Sequence, residues 1–306
     1  MDVTALSATR IPRPLLEPAL HASMILDHLF LPAALALILV ACSQAQSGVS
    51  RSTLDVAQEA GASPDRTFDH SHAAWTAVLA EHVDADTFDY AALAKDRAGF
   101  EAYLSSLEAV TAEELAGWRK EQRFAFWINA YNAYTIRKVV DNYPLKSIRK
   151  LDGTFGLSSV FDSEFIPLRA LHPEGKGEKL SLNDIEHEIL RKHFEDARIH
   201  AAINCASTSC PPLRAEAFVA ERLEKQLDEQ MRAFVNDPAR NRLDKKRNRL
   251  RVSEIFKWFK EDFERDGESV KGYLARWLPE EEHAFVEKAA LEYLDYDWSL
   301  NEPAKE

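Results

Sequence analysis

Apolar residues recur at helical spacing along most of the chain after residue 66. Positions three and four apart fall on one face of a helix, so an apolar stripe at this spacing marks a helix that packs on a core. The run FAFWINAYNAYTIRKVV at 124–140 is apolar almost all the way round and precedes Pro144, which predicts a central, buried helix. The stripe predicts further helices over 68–83, 91–108, 111–121, 182–194, 217–235, 253–263 and 285–294.

Shorter segments have the pattern of strands. The run at 198–203 is apolar and is followed by turn-forming residues, which predicts a buried strand that leads into a loop. Residues 160–181 predict two strands joined by a turn, 240–251 predict a hairpin with a basic turn, and 87–90 predict one more short strand. The sequence therefore predicts an α+β fold, a helix-rich single domain with a small β-sheet that carries the strand at 198–203.

The segment HAAINCASTSCPPL at 200–213 concentrates chemically useful side chains. In a regular strand His200 and Asn204 share one face, because successive side chains point to opposite faces. A double proline then ends the strand, so that Cys205 and Cys210 bracket a tight loop. The site candidates in this segment are His200, Asn204, Cys205, Ser207, Ser209 and Cys210.

The helix predicted at 182–194 carries an acidic candidate. Helical spacing turns Glu186 toward the core and points His187 well off that face. A buried carboxylate requires a partner, because an unpaired charge in an apolar environment is very costly. The partners that the sequence leaves open for it are His200, Arg123 and Arg137.

Two amides lie three residues apart on the predicted central helix, at Asn129 and Asn132, and hence on adjoining parts of one face. One interpretation is a pair of buried amides that satisfy neighbouring backbone groups, as buried polar groups must. The other interpretation places one of them in a substrate pocket. The pattern alone does not choose between the two.

Several of these segments resemble one known family. The segment at 200–213 is similar to the signature of the uncharacterised family called domain of unknown function 547, and the similarity covers about residues 68–301. Because no common fold carries these segments in this order, the combination is specific. The family has no settled biochemical activity, so the resemblance implies a family and not a mechanism. The other similar segments are 124–133, 180–191, 253–263 and 293–301.

The N-terminal region differs from the rest of the chain. The apolar run at 29–41 is too short to span a bilayer comfortably and is typical of a signal-peptide core. It ends in Leu-Val-Ala before Cys42, which resembles a bacterial lipobox whose cysteine is lipidated. We therefore predict a lipoprotein signal peptide over 1–42, a flexible tether over 43–66 and a single globular domain over 67–303. Ser43 favours an outer-membrane lipoprotein that faces the periplasm.

Composition narrows the classes of partner. The net charge of −12 argues against a general nucleic-acid binder. His200, Cys205 and Cys210 have a spacing unlike that of common zinc sites, so we predict no metal site and no cofactor. The predicted partners are the membrane, through the lipid anchor, and a small ligand or a protein whose identity the sequence leaves open.

Two functional classes agree with the sequence, and it leaves open whether the protein is an enzyme. In the first, an envelope protein binds a small polar ligand or partner in a pocket of His, Asn, Cys and Glu side chains, stapled by a Cys205–Cys210 disulfide. In the second, a cysteine-dependent hydrolase or acyl transferase uses Cys210 or Cys205 as nucleophile and His200 as base. The catalytic candidates are Cys210, Cys205, His200 and Glu186, and the ligand-binding candidates are Asn129, Asn132, His187, Asn204, Ser207 and Ser209.

Overall fold

A computed structural model of the chain describes residues 67–154, 158–175 and 178–304. The predicted lipoprotein signal peptide and tether, with the lipidation site Cys42, lie outside these residues and stay predictions. The described residues belong to one compact unit. Among them, no helix has the length and apolar character that a bilayer-spanning segment requires.

The N-terminal half is built around one long helix. Helix α5 (Lys120–Val140) is buried at every position from 124 to 136, because a helix that is apolar on all sides is stable only inside a core. This confirms the central helix predicted at 124–140. The elements that precede α5 are α1 (Ala73–His82), the antiparallel strands β1 (Val83–Asp84) and β2 (Thr87–Phe88), α2 (Tyr90–Lys95), α3 (Ala98–Glu108) and α4 (Ala112–Gly117), and α5 itself spans Lys120–Val140.

After α5 the chain becomes irregular and then forms a π-helix. Short 3-10 turns occupy Ile148–Leu151, Val160–Asp162 and Arg169–Leu171. The π-helix Asp184–Arg191 packs on α5 and continues into α6 (Lys192–Phe194). Ser181 and Asp184 form a reciprocal pair at its start: the Asp184 N–H donates to the Ser181 hydroxyl at 3.0 Å, and the Ser181 N–H donates to the Asp184 carboxylate at 2.7 Å. π-Helical turns are rare and occur frequently at functional sites.

Two of the predicted strand regions are wrong. Residues 160–181 form only an isolated bridge between Ile166 and Leu180. The run at 198–203 forms a single helical turn, α7 (Ile199–Ala202), in which the Ile203 N–H donates to the Ile199 carbonyl at 2.9 Å. This turn is buried on all sides, and a short apolar run does not distinguish a buried turn from a buried strand. His200 and Asn204 therefore do not share a strand face.

The C-terminal part combines helices with the larger sheet. Strand β4 pairs antiparallel with β3, which confirms the predicted hairpin, and parallel with β5. The helix predicted at 285–294 is partly wrong, because it ends at Lys288 and the next residues form β5. The elements are a 3-10 turn (Ala220–Arg222), α8 (Leu223–Asn236), β3 (Arg242–Asp244), β4 (Arg249–Val252), α9 (Ile255–Trp258), α10 (Lys260–Phe263), a 3-10 turn (Arg265–Gly267), α11 (Val270–Ala275), α12 (Glu280–Lys288) and β5 (Ala290–Tyr293). The predicted helix-rich α+β class is confirmed.

Two apolar clusters form the core of the described residues. The first surrounds α5 and includes α1, α3 and the π-helix, whereas the second joins α8, β4 and the helices α9 to α12. The turn α7 contributes to both, because Ile199 and Ala202 pack in the first cluster and Ala201 in the second. The chain that follows α7 therefore starts where the two clusters meet.

Candidate functional site

A cavity of about 150 Å³ opens between α5, the π-helix, α7 and α9. Its polar lining brings together candidates that are far apart in the sequence. These are Glu186 and His187 from the π-helix, His200 from α7, and both Cys205 and Cys210. Tyr131 lies beside the Glu186 carboxyl group, and Tyr296 lies beside the two sulfur atoms. The rest of the walls is aromatic and aliphatic, formed by Phe161, Ile203, Ile255, Trp258, Phe259 and Trp298.

The cysteine loop, residues 205–210, has a constrained backbone. Ala206 has φ of 61°, a left-handed conformation that is uncommon for a residue with a side chain. Its N–H donates to the Asn204 side-chain oxygen at 2.7 Å, and the Cys210 N–H donates to the Ser207 carbonyl at 3.1 Å. Such strained conformations persist only where surrounding contacts impose them, and they cluster at functional sites.

A buried arginine and the C-terminal chain hold this loop from outside. The Arg240 guanidinium donates to the carbonyl oxygens of Cys210 at 2.6 Å and Thr208 at 2.9 Å. The segment after β5 adds backbone bonds, since the Thr208 N–H donates to the Ser299 carbonyl at 2.8 Å and Ser207 bridges to Leu300. The position of the loop thus depends on residues from two distant parts of the sequence.

The two thiols are free, so the predicted Cys205–Cys210 disulfide is not formed. Instead the Cys205 N–H donates to the Cys210 sulfur at 3.0 Å. The Tyr296 hydroxyl donates to the same sulfur at 3.2 Å and lies 3.3 Å from the Cys205 sulfur. The Cys210 sulfur is therefore surrounded by donors, which favour a thiolate.

These contacts separate the acidities of the two cysteines. Burial on its own raises the pKa of Cys210, but hydrogen bonds from Cys205, Tyr296 and Ser207 outweigh burial and lower this pKa below its usual value of 9.0. Burial raises the pKa of Cys205, and the Cys210 sulfur raises it further. Near neutral pH the charge of the pair thus lies on Cys210.

His200 is oriented by an aspartate that sequence analysis did not select. The Nε2 atom of His200 lies 2.7 Å from the carboxylate of Asp262, which also binds Arg191 at 2.6 Å. Burial opposes ionisation of Asp262, but hydrogen bonds from His200 and Arg191 hold its pKa far below the usual range. Because Asp262 is ionised, Nε2 carries the proton and donates it, which leaves Nδ1 as an acceptor. Burial lowers the pKa of His200 itself, and its ring stacks on Phe259 with centroids 3.9 Å apart.

Glu186 faces the core, as helical spacing predicted. The Tyr131 hydroxyl donates to its carboxyl group at 3.1 Å, and the other carboxyl oxygen lies 4.0 Å from His200 Nδ1. Burial raises the pKa of Glu186 from 4.5 to about 7, against the hydrogen bond from Tyr131, which lowers it. Of the partners left open, His200 lies near this carboxyl group, whereas Arg137 pairs with Glu101 and Asp141.

A comparison with known families identifies the part of the chain that carries most of this site. Residues 115–235 match the family model described as "Protein of unknown function, DUF547". Residues 115–235 belong to the DUF547 family. The DUF547 segment contains α5, the π-helix and the cysteine loop, but it ends before Asp262 and Tyr296. No curated protein and no solved structure matches the chain.

Three predicted ligand-binding amides of the DUF547 segment support its backbone instead of lining the cavity. The Asn129 side chain exchanges two hydrogen bonds with the backbone of Phe218, at 2.7 and 3.0 Å. Asn132 donates to the Ala202 carbonyl at 2.9 Å and accepts from the Asn204 N–H at 2.8 Å. The side chain of Asn204 in turn binds backbone groups on either side of Cys210, at 2.8 and 2.7 Å. Asn132 and Asn204 therefore fix the backbone at the cysteine loop, whereas Asn129 fixes the chain at Phe218.

The remaining ligand-binding candidates lie at the edges of the site. His187 lines the cavity, and its Nδ1 lies 3.1 Å from Arg191. Ser207 is buried and contacts the Cys205 sulfur at 3.2 Å, whereas the Ser209 hydroxyl accepts from the Asp297 N–H at 2.9 Å. Both serines therefore help to hold the cysteine loop of the DUF547 segment.

The described ranges contain no group of three or more His, Cys, Asp or Glu side chains arranged to hold a metal ion. The Nε2 atom of His200 is already bound to Asp262, and the two sulfurs share Tyr296 as a hydrogen-bond partner.

The protonation of Glu186 makes a testable contribution to stability. In the folded chain its pKa is raised to about 7 from 4.5, so the fold favours the uncharged carboxyl group. The cost of ionising this buried group therefore appears as the pH rises above the unfolded pKa, and it grows until the folded pKa is passed. Between about pH 5 and about pH 8, we expect the wild type to lose about 2–3 kcal/mol relative to Glu186→Gln.

Urea unfolding of both proteins across this pH range measures that difference. The matched control is Glu224→Gln on α8, because its side chain is 74% exposed and its surface pair contributes little. Parallel pH profiles for wild type and Glu186→Gln would show that Glu186 is ionised in the fold throughout.

Proposed function

We propose that this protein is a cysteine-dependent acyl transferase or hydrolase, with Cys210 as the nucleophile. The observation that carries this proposal is the Cys210 sulfur, free and bound by two donors, in the same cavity as His200, whose ring Asp262 orients. A cysteine nucleophile requires a stabilised thiolate and a nearby group that moves protons. The cavity supplies both.

The first half of the reaction forms an acyl-enzyme. The Cys210 thiolate attacks the carbonyl carbon of an ester or thioester, and the bond from that carbon to the leaving group breaks. The leaving group takes a proton from Glu186, which is uncharged below its pKa of about 7. The product of this step is a thioester on Cys210.

The second half releases the acyl group. His200 Nδ1, fixed as an acceptor by Asp262, takes a proton from water or from an acceptor alcohol. The resulting oxygen nucleophile attacks the thioester carbon, the S–C bond breaks, and the Cys210 thiolate returns. The proton on His200 then passes to the Glu186 carboxylate, which lies 4.0 Å away, and the resting state is restored.

The alternative, a binding protein for a polar ligand stapled by a disulfide, is supported less well. Both thiols are free, so the staple is absent among the described residues. The predicted amide ligands Asn129, Asn132 and Asn204 are occupied by backbone groups. The walls of the cavity are mainly aromatic and aliphatic, which favours an apolar group.

Trapping of the acyl-enzyme tests the proposal. The protein is mixed with p-nitrophenyl butyrate, the reaction is quenched in acid, and the intact mass and peptide map are recorded. We expect one butyryl group on Cys210. Cys205→Ala serves as the matched control, because it removes the neighbouring thiol and keeps the backbone N–H that binds the Cys210 sulfur. A butyryl group on Cys205, or no adduct in wild type, would contradict the assignment.

We also propose that the protein is held at the outer membrane, facing the periplasm, by acylation of Cys42. The support is the apolar run at 29–41 and the lipobox-like tetrapeptide that ends in Cys42. In bacteria fed radiolabelled palmitate, the chain is expected to carry label and to fractionate with outer membranes. Cys42→Ser is expected to lose the label. A labelled Cys42→Ser protein would refute the anchor.

A further inference from the structure

The size of the cavity limits the group that reaches Cys210. Its volume is about 150 Å³, and its apolar walls include Phe161, Ile203 and Ile255. A cavity of this volume is large enough to hold a benzene ring. A hexanoyl chain has about the same number of heavy atoms. A much longer chain does not fit unless part of it stays outside.

The charges around the cavity limit the group further. Among the described residues that line it, there is no Lys or Arg side chain. Arg191, which lies behind His200, is already engaged by Asp262 at 2.6 Å and by His187 at 3.1 Å. A carboxylate on the substrate would therefore lose its hydration and find no positive partner, and this cost is large in an apolar environment.

The mouth of the cavity favours the same class of substrate. Trp258 is 43% exposed, and its ring stacks on Trp298 with centroids 5.8 Å apart. Both side chains line the cavity, so an apolar surface continues from solvent toward the sulfur. An apolar chain that enters this way remains in contact with aromatic rings along its path.

We propose that the site selects an uncharged, apolar acyl group of about six carbons, aliphatic or aromatic, carried on an ester or thioester. This inference rests on the acyl transfer proposed above. The acyl chain lies between Phe161, Ile203 and Ile255, with its carbonyl carbon at the Cys210 sulfur. The leaving group remains at the aromatic mouth.

A series of p-nitrophenyl esters from acetyl to decanoyl tests the size of the acyl group. For the full chain we expect kcat/KM to rise about fourfold per methylene up to hexanoyl, because burial of one methylene strengthens binding by about this factor. Beyond hexanoyl we expect the value to fall. Lys225→Ala, an exposed change on α8, is expected to keep the wild-type profile.

Two substitutions in the walls move the limit in opposite directions. Phe161→Ala enlarges the cavity and is expected to shift the maximum toward octanoyl, whereas Ile255→Phe fills it and shifts the maximum toward butyryl. Phe161→Leu is the milder replacement should the alanine variant fold poorly. Equal rates along the series, or a maximum that neither variant moves, would overturn the size limit.

A matched pair of esters tests the charge. Mono-p-nitrophenyl succinate has the same number of acyl carbons as the butyrate ester, with a carboxylate in place of the terminal methyl group. We expect its kcat/KM to be about a hundredfold lower than that of butyrate, because the carboxylate must leave water without a partner. Similar values for the two esters would overturn the selectivity for uncharged groups.

The mass of the acyl-enzyme separates this inference from the proposed function. If Cys210 is acylated equally well by every ester, the acyl transfer stands and the proposed substrate class is wrong. If no ester of the series acylates Cys210, then both proposals are wrong. If acylation follows the hexanoyl maximum, both are supported.

Discussion

Replacing Cys210 with alanine is expected to lower the turnover of short acyl esters by a factor of about 10³ or more. The Cys210 sulfur is the atom on which the donors of the site converge, from the Cys205 N–H and the Tyr296 hydroxyl. Without this sulfur the cavity keeps His200 and Glu186 but has no nucleophile that forms a covalent intermediate. The measurement is the steady-state rate on p-nitrophenyl butyrate, for wild type and variant.

The matched controls separate chemistry from folding. Cys205→Ala removes a thiol with a raised pKa, and a fall in rate of no more than about tenfold is expected because the backbone N–H of residue 205 and the Tyr296 hydroxyl still donate to Cys210. Circular dichroism and thermal melts of both variants check that the fold is retained. A Cys210→Ala protein that keeps a tenth or more of the wild-type rate would remove the nucleophile from the proposal.

Replacing Asp262 with alanine is expected to destabilise the fold by about 3 kcal/mol and to lower Tm by several degrees. The Asp262 carboxylate is the partner of both Arg191 and His200, and its side chain is only 9% exposed. Its removal leaves a guanidinium and an imidazole in a partly buried position without their acceptor. The proposed proton transfers also lose the group that sets the tautomer of His200, so turnover is expected to fall in parallel.

The pH dependence gives this prediction a distinctive sign. The folded pKa of Asp262 is lowered, so its stabilising contribution is present above the unfolded pKa of 3.8 and is lost as the pH falls toward the folded pKa. The difference in unfolding free energy between wild type and Asp262→Ala is therefore expected to shrink below about pH 4. Urea unfolding at several pH values measures this difference.

Asp228→Ala, which removes a 54% exposed partner of Arg198, is the matched control and is expected to cost less than about 1 kcal/mol. Equal losses in the two variants would show that Asp262 contributes no more than a surface pair.

The elements that sequence analysis predicted correctly have an unmistakable period. Helix α5 is apolar on all sides over more residues than a strand usually contains. The basic segment between β3 and β4 has the pattern of a hairpin turn. Glu186 was assigned to the core face because Ile185 and Ile189 share that face, and all three are buried. Here the local pattern and the final environment agree.

The errors occur where tertiary contacts override a short local pattern. The turn α7 is too brief for a helical period to appear, and its burial makes it look like a strand in the sequence. The helix predicted at 285–294 is wrong after Lys288, because the residues that follow pair with β4 as a parallel strand. The local sequence pattern does not indicate a strand partner that lies about forty residues away.

The site was predicted in part. Sequence analysis predicted that Cys210, His200 and Glu186 share one pocket, but it did not identify Asp262 or Tyr296. Asp262 follows Glu261 in a charged stretch typical of a solvent-facing helix, and only the packing of α10 against α7 turns it toward His200. Tyr296 lies in the segment DYDW near the end of the chain, and the resemblance at 293–301 was the only hint that this segment matters.

The Tyr296 hydroxyl reaches the Cys210 sulfur from a position 86 residues later in the chain. A nascent chain therefore exposes Cys210 long before the group that stabilises its thiolate has been synthesised. During that interval the Cys210 thiol keeps the ordinary pKa of a cysteine in water, so it reacts slowly with electrophiles other than the substrate. The Cys210 sulfur gains this donor only when the segment that carries Tyr296 docks on the cysteine loop, so the proposed nucleophile is complete only after that step of folding.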